Sequence, residues 1–424
     1  MSNVETDPMK AQLLEKPGFP AASEVVPSAD TVALVRPVDE DEYGKAFGES
    51  LDATLNIDNW TAGANVLEMY ERLRNEVADA VRKESEIQRA IRKEIFPRLR
   101  DRPGAPKCAG VYQARPDEVE AVHRKLLFNG GVEACDGTVV SHDTLPVTIT
   151  QIGICLVSYS GDQGSWAHRI FRRDLRSSGK NPVEETLDLL ERRRGRGAVD
   201  IESSKDQLSS LARRAIMAYA ERAVLLDRSK AVWRMGHGSP APYELVTGSG
   251  FEKLLRASLS LMRRMILEHK KFVFVPSAIS AREVLTIGNA LNPLEFAVID
   301  TLESNLKSIA DGHYRGEAWR DLGEAAKEFA RECGSKIVYG VFRATSFSPA
   351  QVFYAHIDHA HEAALIAMSD SVLQEHRGFP MLVDLADGIC RTTFGAETLL
   401  APTRAAYAEA GQPFRYMSER STRT

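Results

Sequence analysis

Apolar and polar positions alternate along this chain with two different periods. Val66, Tyr70, Leu73, Val77, Val81, Ile87, Ile91 and Ile95 recur at three- and four-residue steps, interrupted at Glu84. That spacing predicts one long helix starting near Thr61 and ended by Pro97. Its apolar seam is narrow, which suits packing against another helix, either of its own domain or of a second subunit. Residues 116–128 predict a shorter helix, with Pro116 at its start and Asn129-Gly130-Gly131 past its end. Asp136 then lies in a short apolar run, and residues 149–159 are β-branched and apolar on both faces, as in a strand covered by helices.

Further on, residues 208–226 carry Leu208, Leu211, Ala215, Tyr219 and Ala223 on or near one stripe, with Glu221 on a different face. Residues 231–235 predict a short strand ending in the loop Gly236-His237-Gly238-Ser239-Pro240. A helix over 251–269, a buried strand over 272–275, helices to Cys333 and strands over 336–343 and 352–356 follow. A last helix is opened by the segment 377–387. Strands alternating with helices define an α/β chain. Residues 1–59 are rich in Pro, Asp, Glu, Ser and Ala and predict a mostly flexible leader. Residues 60–130 form an N-terminal helical region, and 131–424 the main domain.

Composition narrows the class. The 424 residues are 43% hydrophobic, enough for a substantial core, and carry a formal charge of −5. A polyanion would therefore be held by local basic patches and not by the average field. The five cysteines are scattered without a CxxC pair, which points to a reducing cytoplasm and no zinc module. No apolar run is long enough to span a bilayer, so a soluble, cytoplasmic protein without a membrane partner is expected.

Candidate chemistry sits in three places. Asp136-Gly137-Thr138 can present a carboxylate where bare backbone leaves room for a metal ion and a phosphate, although Asp-Gly between apolar runs is also a hairpin signal. Glu221 on its helix and His237 between small residues come next. Asp384 and Asp387, three apart, share a face near a helix start, where acids also serve as partners for free N–H groups. A basic tract with Arg169, Arg172, Arg173 and Arg176, interleaved with Trp166 and Phe171, suits either a solvated face or a single-strand channel with stacking platforms. His356, Asp358, His359 and His361 cluster late in the chain, but without a helical zinc spacing they read as a polar turn. Glu375-His376-Arg377 stands just before the third block and could line a substrate path.

The order of these features resembles the NurA nuclease family, the 5′ to 3′ nucleases that accompany the HerA translocase. Asp136-Gly137-Thr138 stands where the family has Asp-Gly-Ser or Asp-Gly-Thr. The Glu221 helix is followed at a similar interval by His237-Gly238-Ser239, and Gly378-Phe379-Pro380 through Asp387 looks like the terminal aromatic-Pro segment. Two departures stand out. His237 occupies the place of an aspartate, and Phe379 and Asp387 stand where Tyr and His are usual.

The resemblance implies a ribonuclease H-like mixed sheet flanked by helices, with a long N-terminal helix and helical insertions. It implies Asp136, Glu221 and Asp387, with Asp384 in reserve, as ligands of Mn²⁺ or Mg²⁺, and His237 as ligand or proton shuttle. Arg169, Arg172 and Arg173 would hold DNA phosphates. The implied protein is a homodimeric, metal-dependent DNA nuclease acting on single strands or ends with a HerA-like hexameric ATPase, in end processing or defence. A nuclease-fold adaptor without catalysis and a nuclease for structured RNA are the competing readings.

Overall fold

The computed structural model describes residues 40–60, 66–143, 148–172, 187, 210–278, 281–314 and 320–415. Most of the expected leader, as well as Arg173, Arg176 and residues 61–65, lies outside them. The chain divides into two units, Met1–Ala64 and Asn65–Thr424.

In the first unit the leader expected to be mostly flexible contains two short helices, α1 (Glu40–Phe47) and α2 (Leu51–Leu55). Ser50 caps α2 by accepting from the Ala53 N–H at 3.2 Å, and Tyr43 donates to Thr54 Oγ1 at 3.1 Å.

The second unit is built on one nine-stranded sheet. Its strands are β1 (Gly110–Gln113), β2 (Val132–Asp143), β3 (Thr148–Ser158), β4 (Gly161–Arg172), β5 (Trp233–His237), β6 (Phe272–Val275), β7 (Glu295–Thr301), β8 (Ile337–Arg343) and β9 (Gln351–His356). They lie in the order β1-β7-β8-β9-β6-β5-β2-β3-β4. β2, β3 and β4 are antiparallel neighbours, whereas β2, β5 and β6 run parallel. The sheet is therefore mixed. In order along the chain, its helices are α3 (Val66–Glu94), α4 (Phe96–Asp101), α5 (Pro116–Val122), α6 (Ser210–Asp227), α7 (Tyr243–Val246), α8 (Glu252–Arg263) and α9 (Arg282–Asn289). They continue with α10 (Glu303–His313), α11 (Arg320–Cys333), α12 (Ala360–Val372), α13 (Met381–Phe394) and α14 (Ala396–Glu409).

Why this sequence makes this sheet follows from burial. β6 reads Phe-Val-Phe-Val with every residue buried, and Ile152 to Val157 of β3 are apolar or glycine and buried, as strands covered on both faces must be. The main core joins Val132, Ala134, Met235, Val273 and Phe353 of the strands to Ala363, Ala367, Leu382 and Ala386 of α12 and α13. Small residues on α12 let that helix lie close to the sheet.

Several expectations change. The region 60–130 is not purely helical, because β1 pairs antiparallel with β7 and belongs to the main sheet. Residues 276–333 are not all helical either, since β7 supplies a buried strand among the helices. The first stretch of the basic tract is β4, the outer strand of a long hairpin. Pro97 does not close the long helix; α3 stops at Glu94, and Pro97 occupies the first turn of α4, where its missing N–H costs nothing. The Asp136-Gly137 pair makes no turn and lies inside β2. Among the described residues no helix is long and apolar enough to cross a membrane.

Candidate active site

The site grows out of a change in strand pairing. β2 is hydrogen-bonded to β3 over most of its length, but its parallel pairing with β5 covers only Val132 to Cys135, which stand opposite Trp233 to Gly236. Asp136 and His237 are the next residues on the two strands. They stand where the parallel pairing stops, with β5 ending at His237 and β2 running on to Asp143 beside β3. Asp136 is buried, and its Oδ1 lies 3.6 Å from His237 Nδ1. Gly238, with φ of +80°, turns the chain away in a conformation that favours glycine.

α6 crosses β2 and β3 and lowers Glu221 onto Gly137. A Cβ built on Gly137 would stand 2.6 Å from Glu221 Oε1, 2.8 Å from Met217 Cγ and 2.9 Å from Ile154 Cδ1. The bare backbone is what lets this carboxyl reach the strand that carries Asp136. Burial, and then the Asp136 charge, push the Glu221 carboxyl from its usual 4.5 to about 7, against the pull of Arg222 and His237. α13 brings Asp387 to the same place from the other side in sequence. Burial and the Asp136 charge raise its carboxyl too, although Arg391 Nε sits 2.7 Å from Asp387 Oδ1. Burial opposes the charged imidazole of His237, but the Asp136 carboxylate 3.6 Å from its Nδ1 and the charges of Glu221 and Asp387 outweigh it, so His237 holds its proton above the usual range.

Four of the residues singled out in the sequence thus act on one another. Two others, Asp384 and Arg169, do not join them, and the side chain of Arg172 lies outside the described residues. Asp384 is held by Arg377 and by Gln374 Nε2 at 2.7 Å. Arg169 donates from Nε to Gln151 Oε1 at 2.8 Å, and Gln151 in turn donates to the Phe394 carbonyl at 2.8 Å. Arg172 closes β4. Glu375-His376-Arg377 packs elsewhere, with His376 edge-on to Phe347. The late histidines diverge: His356 Nδ1 accepts from the Asp358 N–H at 3.1 Å, His359 meets Glu362 at 2.7 Å, and His361 lies against Tyr112.

Arg222, not singled out at the sequence level, and Phe379, marked there as a departure from the family pattern, complete the picture. Arg222 is buried beside Glu221, donating to Glu221 Oε2 at 3.2 Å, Ala218 O at 2.8 Å, Pro240 O at 3.3 Å and Ser239 O. It neutralises part of the acidic charge and ties α6 to the loop after His237. Phe379 meets His237 edge-on, with ring centroids 6.1 Å apart. A Glu-Arg pair on a helix gives no sequence signal for such a role, because most such pairs are solvated.

The donor set is hard oxygen with one imidazole, and the Asp136 charge raises the affinity of Glu221 and Asp387 for protons. A divalent cation would relieve that repulsion, so charge and donor chemistry fit one. Among the described residues no three His, Cys, Asp or Glu side chains already stand in a closed metal-holding group. The fit is one of charge and donor chemistry, and not of a preassembled ligand shell.

Fold and site together define an α/β protein with a mixed nine-stranded sheet and an acidic cluster at a strand-pairing switch. The chain is similar to the crystal structure of the NurA nuclease from Sulfolobus solfataricus, with a TM-score of 0.42 at 9% identity over 81% of this chain and 98% of that one. A NurA structure with manganese gives a TM-score of 0.34 at 8% identity, covering 69% of this chain and 95% of the other. Endonuclease V of Ciona intestinalis in complex with DNA gives 0.25 at 11% identity, over 62% and 84%. Comparison with known protein families and with curated proteins finds no match.

Proposed function

We propose that the protein is a divalent-metal-dependent deoxyribonuclease. The observation that carries this reading is the mutual approach of Asp136, Glu221, Asp387 and His237, from four separate elements, where the parallel pairing of β2 with β5 ends. The strand run β4-β3-β2-β5-β6, with a carboxylate on an interior strand and others on covering helices, supports a ribonuclease H-like core.

In this reading Asp136 is the central ligand of Mn²⁺ or Mg²⁺, with Glu221 and Asp387 completing the set. The ion supplies Lewis acidity that activates water and steadies the leaving oxygen of a phosphodiester. Glu221 must shed its proton to join, and Arg222 holds it ready by favouring the carboxylate. Asp136 orients His237 through Nδ1, and the raised imidazole carries a proton for the reaction through its other nitrogen. Arg169 and Arg172 on β4 would meet the phosphates of a single strand. A cytoplasmic homodimer working with a HerA-like ATPase rests on the sequence resemblance.

The test is degradation of linear single- and double-stranded DNA with Mn²⁺ or Mg²⁺, beside RNA as competitor. Asp136→Ala should fold and be inactive, and calorimetry should show divalent binding that the variant lacks. Full activity in Asp136→Ala, or an inert protein whose metal binding ignores Asp136 and Glu221, would overturn the reading; the latter result would make the chain an adaptor.

A further inference from the structure

α3 is 29 residues long and buries none of them. Its last turns are docked on the body: Gln88 Nε2 donates to the Asn289 carbonyl at 3.2 Å, and Arg92 reaches the Ala290 carbonyl at 3.0 Å and both oxygens of Glu295 at 2.6 and 2.9 Å. The turns before them carry an apolar seam in water. Tyr70, Leu73, Val77 and Ile87 are 61%, 53%, 51% and 57% exposed. From Val66 through Tyr70, Leu73, Val77, Ala80, Glu84 and Ile87 to Ile91 the steps alternate strictly between four and three, which is the a/d repeat of a two-helix seam.

We propose that this seam pairs with the same seam of a second copy of the chain, antiparallel and centred between Ala78 and Asp79. The charges choose both the partner and the direction. In the antiparallel register Tyr70 faces Ile87 of the second copy, Val77 faces Ala80, and Glu84, the one charge inside the exposed seam, faces Leu73 with Arg74 beside it. Glu76 stands across from Lys83, twice by symmetry. Among the described residues Glu84 is hydrogen-bonded to the neutral Gln88 at 3.5 Å, and the second copy would supply it with a cation. A parallel pair would instead set Glu84 against Glu84 in the seam, and would leave Glu76 opposite Val81 and Lys83 opposite Gln88. It would also bring both docked ends, and both bodies, to one end of the pair. The antiparallel pair carries them to opposite ends of an overlap of about 33 Å, at 1.5 Å for each of some 22 residues.

This deepens the homodimer of the proposed function and is independent of its chemistry. The full-length protein should run as a dimer by size exclusion with light scattering, and Val77→Asp should make it a monomer. Glu76→Lys or Lys83→Glu alone should weaken dimerisation about tenfold, since two attractive pairs become repulsive, and the double exchange should restore it. The Glu76→Cys/Lys83→Cys double variant should form chain-to-chain links on mild oxidation, whereas each single variant should not. A monomeric wild type, linking by Glu76→Cys alone, or a double exchange as weak as the singles would overturn the pairing. So would a monomer whose seam is protected from hydrogen exchange by residues 1–39. An inactive dimer would sink the nuclease reading and leave this one standing, and an active monomer would do the reverse.

Discussion

Glu221→Gln is expected to make the metal-free protein more stable at neutral pH while abolishing function. The native carboxyl holds its proton up to about 7, against 4.5 for an ordinary glutamate, because burial and then the Asp136 charge disfavour ionisation. The sign is that of a raised acid. Below pH 4.5 both states are protonated and nothing is gained or lost. Between 4.5 and 7 the unfolded chain releases a proton the folded one keeps, so stability falls as pH rises and levels off above 7. A shift from 4.5 to about 7, at 1.36 kcal/mol per unit, is a loss of about 3 kcal/mol by pH 8. Glutamine cannot ionise, so the variant should lack that slope. Urea denaturation in EDTA, from pH 4.5 to 8, measures both proteins. The wild type should fall behind the variant by roughly 3 kcal/mol across the window, and saturating Mn²⁺ should close the gap by binding the wild type alone. Parallel pH profiles would refute the reasoning, because Glu221 would then titrate as in water.

Gly137→Ala should cost activity more than stability. The new methyl would meet Glu221 Oε1 at 2.6 Å and displace the carboxyl, so divalent affinity measured by calorimetry should drop by at least about tenfold while the fold survives within roughly 1–3 kcal/mol. Asp387→Asn should lower DNA cleavage at least about a hundredfold if it removes a ligand, whereas Asp384→Asn, which only loosens the pair with Arg377, should leave kcat unchanged and cost at most about 1 kcal/mol. Arg222→Leu should destabilise by about 3 kcal/mol at pH 8, by stripping Glu221 of its counter-charge, and by less at pH 5.5, where the carboxyl can stay protonated; equal losses at both pH values would argue against that coupling.

The helices with strong three-four periods were legible from the chain alone, as were the fully apolar strands β3 and β6. β7 was missed because Phe296-Ala297-Val298-Ile299 is a short run between helical patterns, and periodicity cannot separate a buried strand from a helix turn at that length. β4 was hidden by its charges: Arg169 and Arg172 belong to the outer strand of the sheet, where polar side chains are tolerated. Asp136 and His237 could be marked from local sequence, but their proximity depends on β5 lying beside β2, a crossover that spans about a hundred residues. Arg222 was invisible for the same reason. Its meaning comes from the Ser239 and Pro240 carbonyls, which only the folded chain brings to it.

The start of α13 has a bearing on how any survey of variants should be interpreted. Asp370, buried on α12, accepts the Leu382 N–H at 2.8 Å and the Tyr159 hydroxyl, so a foreign carboxylate plugs the end of the helix that delivers Asp387. Burial pushes its own titration up to about 6, leaving the plug weakest in mild acid. Loss-of-function alleles would therefore be recovered at Asp370 and Tyr159, although neither belongs to the acidic cluster. Such alleles would mark an anchor point, and a map that scored them as chemistry would draw the catalytic centre too large.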